Sequence, residues 1–373
     1  MVESLVPASI PVYSPASVDA AVDVVGSISR VIERHRYLSG PELDRFEAAF
    51  AEYCGVGYCI GVANGTDALE IALRALNVVP GDRVAVVANA GFYGSTAVRA
   101  IGAVPVYVDI DPATLQMSPA ALSEVLRLRP TAVIATHLYG LLSDIEAIVA
   151  VATEGGVPVI EDCAQAHGAR RDGKRAGSFA TIGCFSFYPT KNLGAVGDAG
   201  GIVTNDPALA ARIRRLRQYG WAAKYHVKTA GGRNSRLDEI QAAVLGDRLP
   251  HLDAWNAERR SIAARYVAGL AGLPLTCPPS LTEDYVAHLF VIQVEDRDRF
   301  REHMAARGVS TDVHYPVPDH HQLAYGPEQH PPLAATERAC ERVVTLPLFP
   351  GLADADIDTV IEAVASALVP ARA

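Results

Sequence analysis

Between Tyr58 and Cys163 short apolar runs alternate with longer amphipathic ones in strict succession. YCIGVANG, RVAVVAN, PVYVDI, TAVIATHLYG and VPVIEDC have the length and composition of strands. TDALEIALRALNV, STAVRAIGA, AALSEVLRL and IEAIVAVATEGG, which separate them, carry apolar residues at helical spacing. Strands kept apart by helices join through right-handed crossovers into a largely parallel sheet. CFSFYP and GGIVTND continue the series as two further strands. PELDRFEAAFAEYCG precedes it as an amphipathic helix stopped by Gly55. After about Pro250 the pattern changes to a long helix, LDAWNAERRSIAARYVAGLAG, then HLFVIQVE, RDRFREHMAARG and a closing helix, DADIDTVIEAVASALV. The expected fold is α/β: a large domain over residues 1–249 on a mostly parallel sheet, and a smaller C-terminal α+β domain over 250–373.

Charge and composition exclude several function classes. The formal net charge is −9 and there is no basic block, which argues against nucleic acid or an anionic membrane as partner. No apolar run approaches the ~20 residues that span a bilayer. The N-terminal MVESLVPASIPVYSPAS has neither the basic start nor the apolar core of a signal peptide, so a cytoplasmic protein is expected. Cys54, Cys59, Cys163, Cys184, Cys277 and Cys340 form no CxxC pair. They read as reduced thiols, and no metal site is expected. A GxxxxGK[ST] phosphate loop is missing. GVGYCIG at 55–61 lies between a helix and a strand, the reverse of the dinucleotide fingerprint.

In open parallel sheets ligands sit beyond the carboxyl ends of the strands, and polar groups collect there in this sequence. Gly65-Thr66-Asp67 opens a helix after YCIGVAN, where free N–H groups and the positive helix end favour a phosphate. Phe92 and Tyr93 follow RVAVVAN, and an aromatic at a strand end can cover a flat ring. His137 and Tyr139 follow TAVIAT and can line a pocket. Glu161-Asp162 ends the apolar VPVI, with Gln165 just beyond. A carboxylate there is costly without a cationic partner. Ser186, Tyr188 and Lys191 end the next apolar segment, and a Gly-rich loop follows.

One chemistry uses the whole set. A Lys amine forms a Schiff base with a carbonyl cofactor. Pyridoxal 5'-phosphate brings a phosphate, a flat ring, a phenolic oxygen and a pyridine nitrogen that an Asp keeps protonated. Gly65, Thr66 and Ser186 are expected to cradle the phosphate, Phe92 to stack on the ring and Asp162 to pair with the ring nitrogen. Gln165 is expected to reach the phenolic oxygen and Lys191 to hold the aldehyde.

EDCAQAHGA, FSFYPTKNLGAVGDAGG, GGRNSRLDEIQAAVL and HYPVP resemble the DegT/DnrJ/StrS sugar aminotransferases of fold type I, from roughly Tyr37 to the C-terminus. The chain has Gly197-Asp198-Ala199-Gly200-Gly201 where that family commonly reads GDGGA. The resemblance implies a pyridoxal-phosphate domain, a smaller C-terminal domain and a homodimer with shared active sites, in which Asn234 reaches the partner's phosphate. It implies L-glutamate as amino donor and a nucleotide-linked keto-deoxysugar as acceptor, in amino-sugar biosynthesis. HYPVP with His320 and His321 resembles the loop of the family's 3-aminotransferases. His314, Tyr315 and His320 are therefore expected at the sugar, with Tyr188, and Arg236, with Arg233, is expected at the diphosphate because guanidinium groups match phosphate oxygens. Lys191 argues against the branch that removes a sugar hydroxyl, in which a His replaces this Lys. A keto-inositol aminotransferase and a catalytically inactive regulatory homologue remain alternatives.

Overall fold

The computed structural model describes residues 9–325, 330 and 332–368. Seven strands form the main sheet: β1 Tyr58–Val62, β2 Arg83–Val87, β3 Val104–Val108, β4 Ala132–Thr136, β5 Val159–Asp162, β6 Ile182–Ser186 and β7 Gly200–Thr204. Their order across the sheet is β1-β7-β6-β5-β4-β2-β3. Pairing is parallel from β6 to β3, and β7 runs antiparallel to both of its neighbours. The sheet is thus mostly parallel and flanked by helices, as the alternating pattern predicts.

The strands read as continuous apolar runs because both faces are covered. On β2, Val84 and Val86 enter one core with the helix Gly65–Ala75, whereas Ala85 and Val87 enter another with Ile145 and Ile148. β4 divides the same way, Ile134 to the first core and Val133 and Ala135 to the second. Each strand therefore contributes to both layers with a period of two.

A separate apolar cluster forms in the C-terminal part. β8 (Phe290–Gln293) pairs antiparallel with β9 (Val343–Leu346). Phe290, Ile292, Val344 and Leu346 pack there against Tyr266, Phe300, Met304 and Val360 from three helices. Ile10 and Tyr13 pack against this cluster too, and Ile10 bridges Val309. The N-terminal segment, assigned from the sequence to the large domain, is thus seated on the C-terminal part. Among the described residues no helix is long and apolar enough to cross a membrane.

Candidate active site

The carboxyl ends of β1, β2, β4, β5 and β6 open onto one cavity of about 650 Å³. Its wall includes Gly65, Thr66, Asp162, Gln165, Ser186, Tyr188, Lys191, His314 and Tyr315. Residues spread over some 250 positions therefore meet because the strands that carry them end at the same edge of the sheet.

The anion corner is built by close packing. Asn64 caps the helix Gly65–Ala75 by accepting from the Asp67 N–H at 2.8 Å. The N–H groups of Gly65 and Thr66 precede any acceptor the helix itself can supply. A Cβ on Gly65 would lie 2.6 Å from the Ser186 Cβ, so only glycine lets the helix start approach the end of β6. Gly200 is equally constrained, because a Cβ there would lie 2.4 Å from the Asn64 carbonyl oxygen. The shifted glycine of Gly197-Asp198-Ala199-Gly200-Gly201 leaves this contact intact.

Lys191 lies in the loop joining the antiparallel pair β6 and β7. Its N–H donates to the Tyr188 carbonyl at 2.8 Å. The next residue, Asn192, is held by a chain of amides. Its Nδ2 donates to Asn256 Oδ1 at 2.8 Å and to the Val286 carbonyl at 3.0 Å, while its Oδ1 meets His288 Nδ1 at 2.9 Å. Burial brings the Lys191 amine down to about 8, against the opposing pull of the Asp162 charge.

Asp162 is buried at the end of β5. Its carboxylate accepts from the Ala164 N–H at 3.1 Å and the Thr136 hydroxyl at 3.3 Å. Burial pushes its carboxyl above the usual range, opposed by the Ala164 N–H, Lys191, His137 and Thr136. Gln165 Oε1 accepts the Tyr139 N–H at 2.6 Å, and its Nε2 donates to the Tyr315 hydroxyl at 3.1 Å. Tyr139 in turn donates from its hydroxyl to the His314 carbonyl. His314 Nδ1 meets Thr345 Oγ1 at 2.8 Å, and burial lowers its imidazole.

Several expected residues lie elsewhere. Tyr93, not Phe92, is on the cavity wall. Gly91 and Phe92 both take positive φ, 74° and 69°, and the chain turns over these two residues before the helix Tyr93–Ala100 begins. Phe92 stacks instead on Tyr325, with ring centroids 5.1 Å apart. His320 is buried away from the cavity, with Nε2 3.2 Å from Glu337 Oε1 and His321 beside it. His137 is buried behind the sheet, 3.1 Å from Glu161, and Leu138 takes the place on the wall. Asn234 is exposed and Arg236 half-buried, and neither lines the cavity formed by the single chain. Arg233 pairs with Asp67 at 3.1 Å and with Glu70, on the flank of the helix Gly65–Ala75.

The sequence pattern also missed wall residues. Val12 and Tyr13 come from the N-terminal segment, and the Tyr13 hydroxyl donates to the Pro189 carbonyl at 2.9 Å. This segment has no periodicity to mark it. Asp198, His288, Asp312 and Leu348 also line the cavity. Asp198 belongs to the Gly-rich loop after Lys191, but His288 and Leu348 look like ordinary strand flanks.

The set fits pyridoxal phosphate by its chemistry. Two helix-start N–H groups and a hydroxyl suit a phosphate, a buried amine suits an aldehyde, and a buried carboxylate with few donors suits a protonated ring nitrogen.

The family model for the DegT/DnrJ/EryC1/StrS aminotransferase family matches residues 20–365, and the chain belongs to this family. It is 45% identical over 345 residues to the dTDP-3-amino-3,4,6-trideoxy-alpha-D-glucose transaminase of Streptomyces venezuelae, covering 91% of this chain and 90% of the relative. The crystal structure of S. venezuelae DesV in complex with a ketimine intermediate superposes with a TM-score of 0.93 at 41% identity, covering 98% of this chain and 100% of DesV. NtdA from Bacillus subtilis, solved with bound cofactor PMP, superposes with a TM-score of 0.89 at 33% identity, covering 98% of this chain and 87% of NtdA.

Proposed function

We propose that the chain is a pyridoxal-phosphate-dependent aminotransferase exchanging an amino group between L-glutamate and a nucleotide-linked 3-keto-6-deoxyhexose, at C3, in amino-sugar biosynthesis. Lys191 and Asp162, a lowered amine and an underbonded buried carboxylate on one cavity, carry this conclusion. The 45% identical relative, a dTDP-3-amino-sugar transaminase, supports C3 as the position and dTDP as the nucleotide. The bound cofactor supplies an electron sink for the carbon that loses its proton.

The protein's own residues do the rest. The Gly65 and Thr66 N–H groups and the Ser186 hydroxyl hold the phosphate. The charge on Asp162 keeps a proton on the ring nitrogen, and Tyr93 covers the ring face in place of Phe92. Gln165 offers its amide to the phenolic oxygen. Lys191 Nζ would hold the aldehyde at rest and, once free, would move the proton between the amino-bearing carbon and the cofactor. An amine brought down to about 8 has a substantial neutral fraction near physiological pH, which a general base needs. Tyr188, His314 and Tyr315 offer the sugar donors, acceptors and flat apolar faces.

Asn234 and Arg236 stand outside the single-chain cavity. In this proposal they serve the partner subunit's site, which makes the enzyme a homodimer. Residues 1–249 and 250–373 form its two domains, with the N-terminal segment packed on the second. The test runs the reaction backwards, offering 3-amino and 4-amino nucleotide sugars separately with 2-oxoglutarate. Loss of the amine from the 3-amino compound alone is expected. Turnover of only the 4-amino sugar, or of an aminocyclitol alone, overturns the sugar assignment. A protein whose cofactor spectrum does not respond to glutamate overturns the transaminase.

A further inference from the structure

Residues 314–325 bring His314 and Tyr315 to the cavity and then cross to the turn that starts the helix Tyr93–Ala100. This helix has no side-chain cap of its own: Phe92 stands at the cap position in a left-handed conformation. The turn is instead tied down from the loop 314–325. Asp319 Oδ1 accepts the Phe92 N–H at 3.0 Å, and Oδ2 accepts the Ser95 hydroxyl at 2.6 Å. The Asp319 N–H donates to the Ala88 carbonyl at 2.8 Å. Tyr325 stacks on Phe92, and the Arg99 guanidinium lies 4.0 Å over the Tyr325 ring.

Asp319 is only 3% exposed and does not line the cavity. Burying a carboxylate is costly unless donors compensate it, so its seat among these donors is specific. Burial pushes its carboxyl up to about 7, with Ser95, Phe92 and Arg99 pulling it back. The two segments it joins carry Tyr93 and Tyr315, whose rings meet edge to face on the cavity wall, centroids 6.0 Å apart at 75°.

We propose that Asp319 is a positioning residue for the sugar substrate: by tying the Phe92 N–H and the Ser95 hydroxyl at the start of the helix Tyr93–Ala100 to the loop that carries Tyr315, it fixes the Tyr93–Tyr315 wall. Its kinetic signature rests on the function proposed above. A loosened wall weakens sugar binding and leaves the amino-donor half of the reaction largely alone.

The test uses full-length, cofactor-loaded Asp319→Ala, Asp319→Asn and Ser95→Ala. Asp319→Ala is expected to raise KM for the 3-amino nucleotide sugar about tenfold, with a much smaller change in kcat and in KM for 2-oxoglutarate. Ser95→Ala, which removes one of the two bonds Asp319 accepts from this turn together with a longer contact to Tyr107 at 3.3 Å, is expected to raise it about threefold, and Asp319→Asn, which keeps one acceptor, to fall between. Should Asp319→Ala not fold, the other two variants carry the test. Amide hydrogen exchange supplies a readout independent of substrate identity. Faster exchange confined to residues 92–96 and 314–325 in Asp319→Asn is expected. Unchanged exchange there overturns the proposal whatever the substrate, and so does a fall in kcat with both KM values unmoved. Failure of the sugar assignment shows differently, as a wild-type enzyme inactive on the 3-amino compound with the exchange result intact.

Discussion

Glu161 and Asp162 are adjacent on β5, and the pleat sends their carboxylates to opposite faces of the sheet. Glu161 is fully buried and saturated. It accepts N–H bonds from Gly177 at 2.8 Å, Phe179 at 2.9 Å and Ala180 at 2.8 Å, and His137 Nε2 lies 3.1 Å away. His137 Nδ1 accepts the Ser143 N–H, which leaves the proton on Nε2 to face Glu161. Asp162 has one N–H, one hydroxyl and an open cavity in front of it. Both are acidic, buried and at a strand end, so residue type does not separate them. The number of donors does: a saturated carboxylate holds loops together, and an unsaturated one beside a lowered amine is available for chemistry.

The largest effect belongs to the open side. Lys191→Ala removes the amine proposed to move the proton, and activity is expected to fall at least about 10³-fold while the chain stays folded. Mass spectrometry after borohydride treatment checks it, since the cofactor should attach to the wild type at Lys191 and not to the variant. Attachment at another residue breaks the comparison. On the closed side, Glu161→Ala leaves the buried Gly177 N–H, the half-buried Phe179 and Ala180 N–H groups and the buried His137 without their acceptor. A loss of about 3–5 kcal/mol of stability is expected, measured by urea unfolding. A variant as stable as wild type would show that Glu161 is not the anchor its bonds describe.

Two subtler effects have opposite signs with pH. In the cofactor-free protein the Lys191 amine sits at about 8 in the fold against 10.5 ordinarily. Between these values the unfolded chain binds more protons, so the group's contribution to stability rises with pH across that window, by up to about 3 kcal/mol. Below pH 8 both states are charged and the burial cost is at its full value. Lys191→Met should flatten the slope of unfolding free energy between pH 8 and 10. The folded Asp162 carboxyl is raised, so its contribution is present below the usual carboxylate range and lost as pH climbs through the folded value. Asp162→Asn should therefore be no less stable than wild type at pH 7 without cofactor, yet lose roughly 10²-fold in activity for want of the charge. Wild-type turnover in this variant would return Asp162 to a structural role.

Much of this organisation is legible in the sequence because it follows from periodicity. Alternating apolar and amphipathic runs foretell the parallel sheet, and the sheet puts Gly65, Asp162, Ser186 and Lys191 at one edge by its own geometry. What periodicity does not encode is the turn. Phe92 and Tyr93 are both aromatic and follow the same strand, and only the backbone conformation decides which faces the cavity. His320 fails for a related reason. The loop 314–325 carries His314 and Tyr315 to the cavity, but five residues later a short helical turn has folded the chain back under its own cover, with His320 on Glu337. Val12 and Tyr13 reach the wall only because the C-terminal cluster holds the N-terminal segment beside it.

The smallest expected effect decides between the two aromatics. Tyr93 is 53% exposed on the cavity side and meets Tyr315 edge to face, whereas Phe92 is stacked on Tyr325 beneath Arg99. A ring that covers a bound cofactor contributes through stacking, which is worth about 0.5–1.5 kcal/mol for an aromatic pair. Tyr93→Leu is therefore expected to weaken cofactor binding by up to about tenfold, read from the absorbance titration of the cofactor-free protein, with little change in thermal stability. Phe92→Leu removes the contact with Tyr325 but keeps the backbone N–H that Asp319 accepts. It should cost about 1 kcal/mol of stability and move cofactor affinity less. The opposite ranking, with cofactor affinity falling in Phe92→Leu and unchanged in Tyr93→Leu, would mean that the turn rearranges when cofactor binds and that the ring first expected from the sequence is the one that stacks.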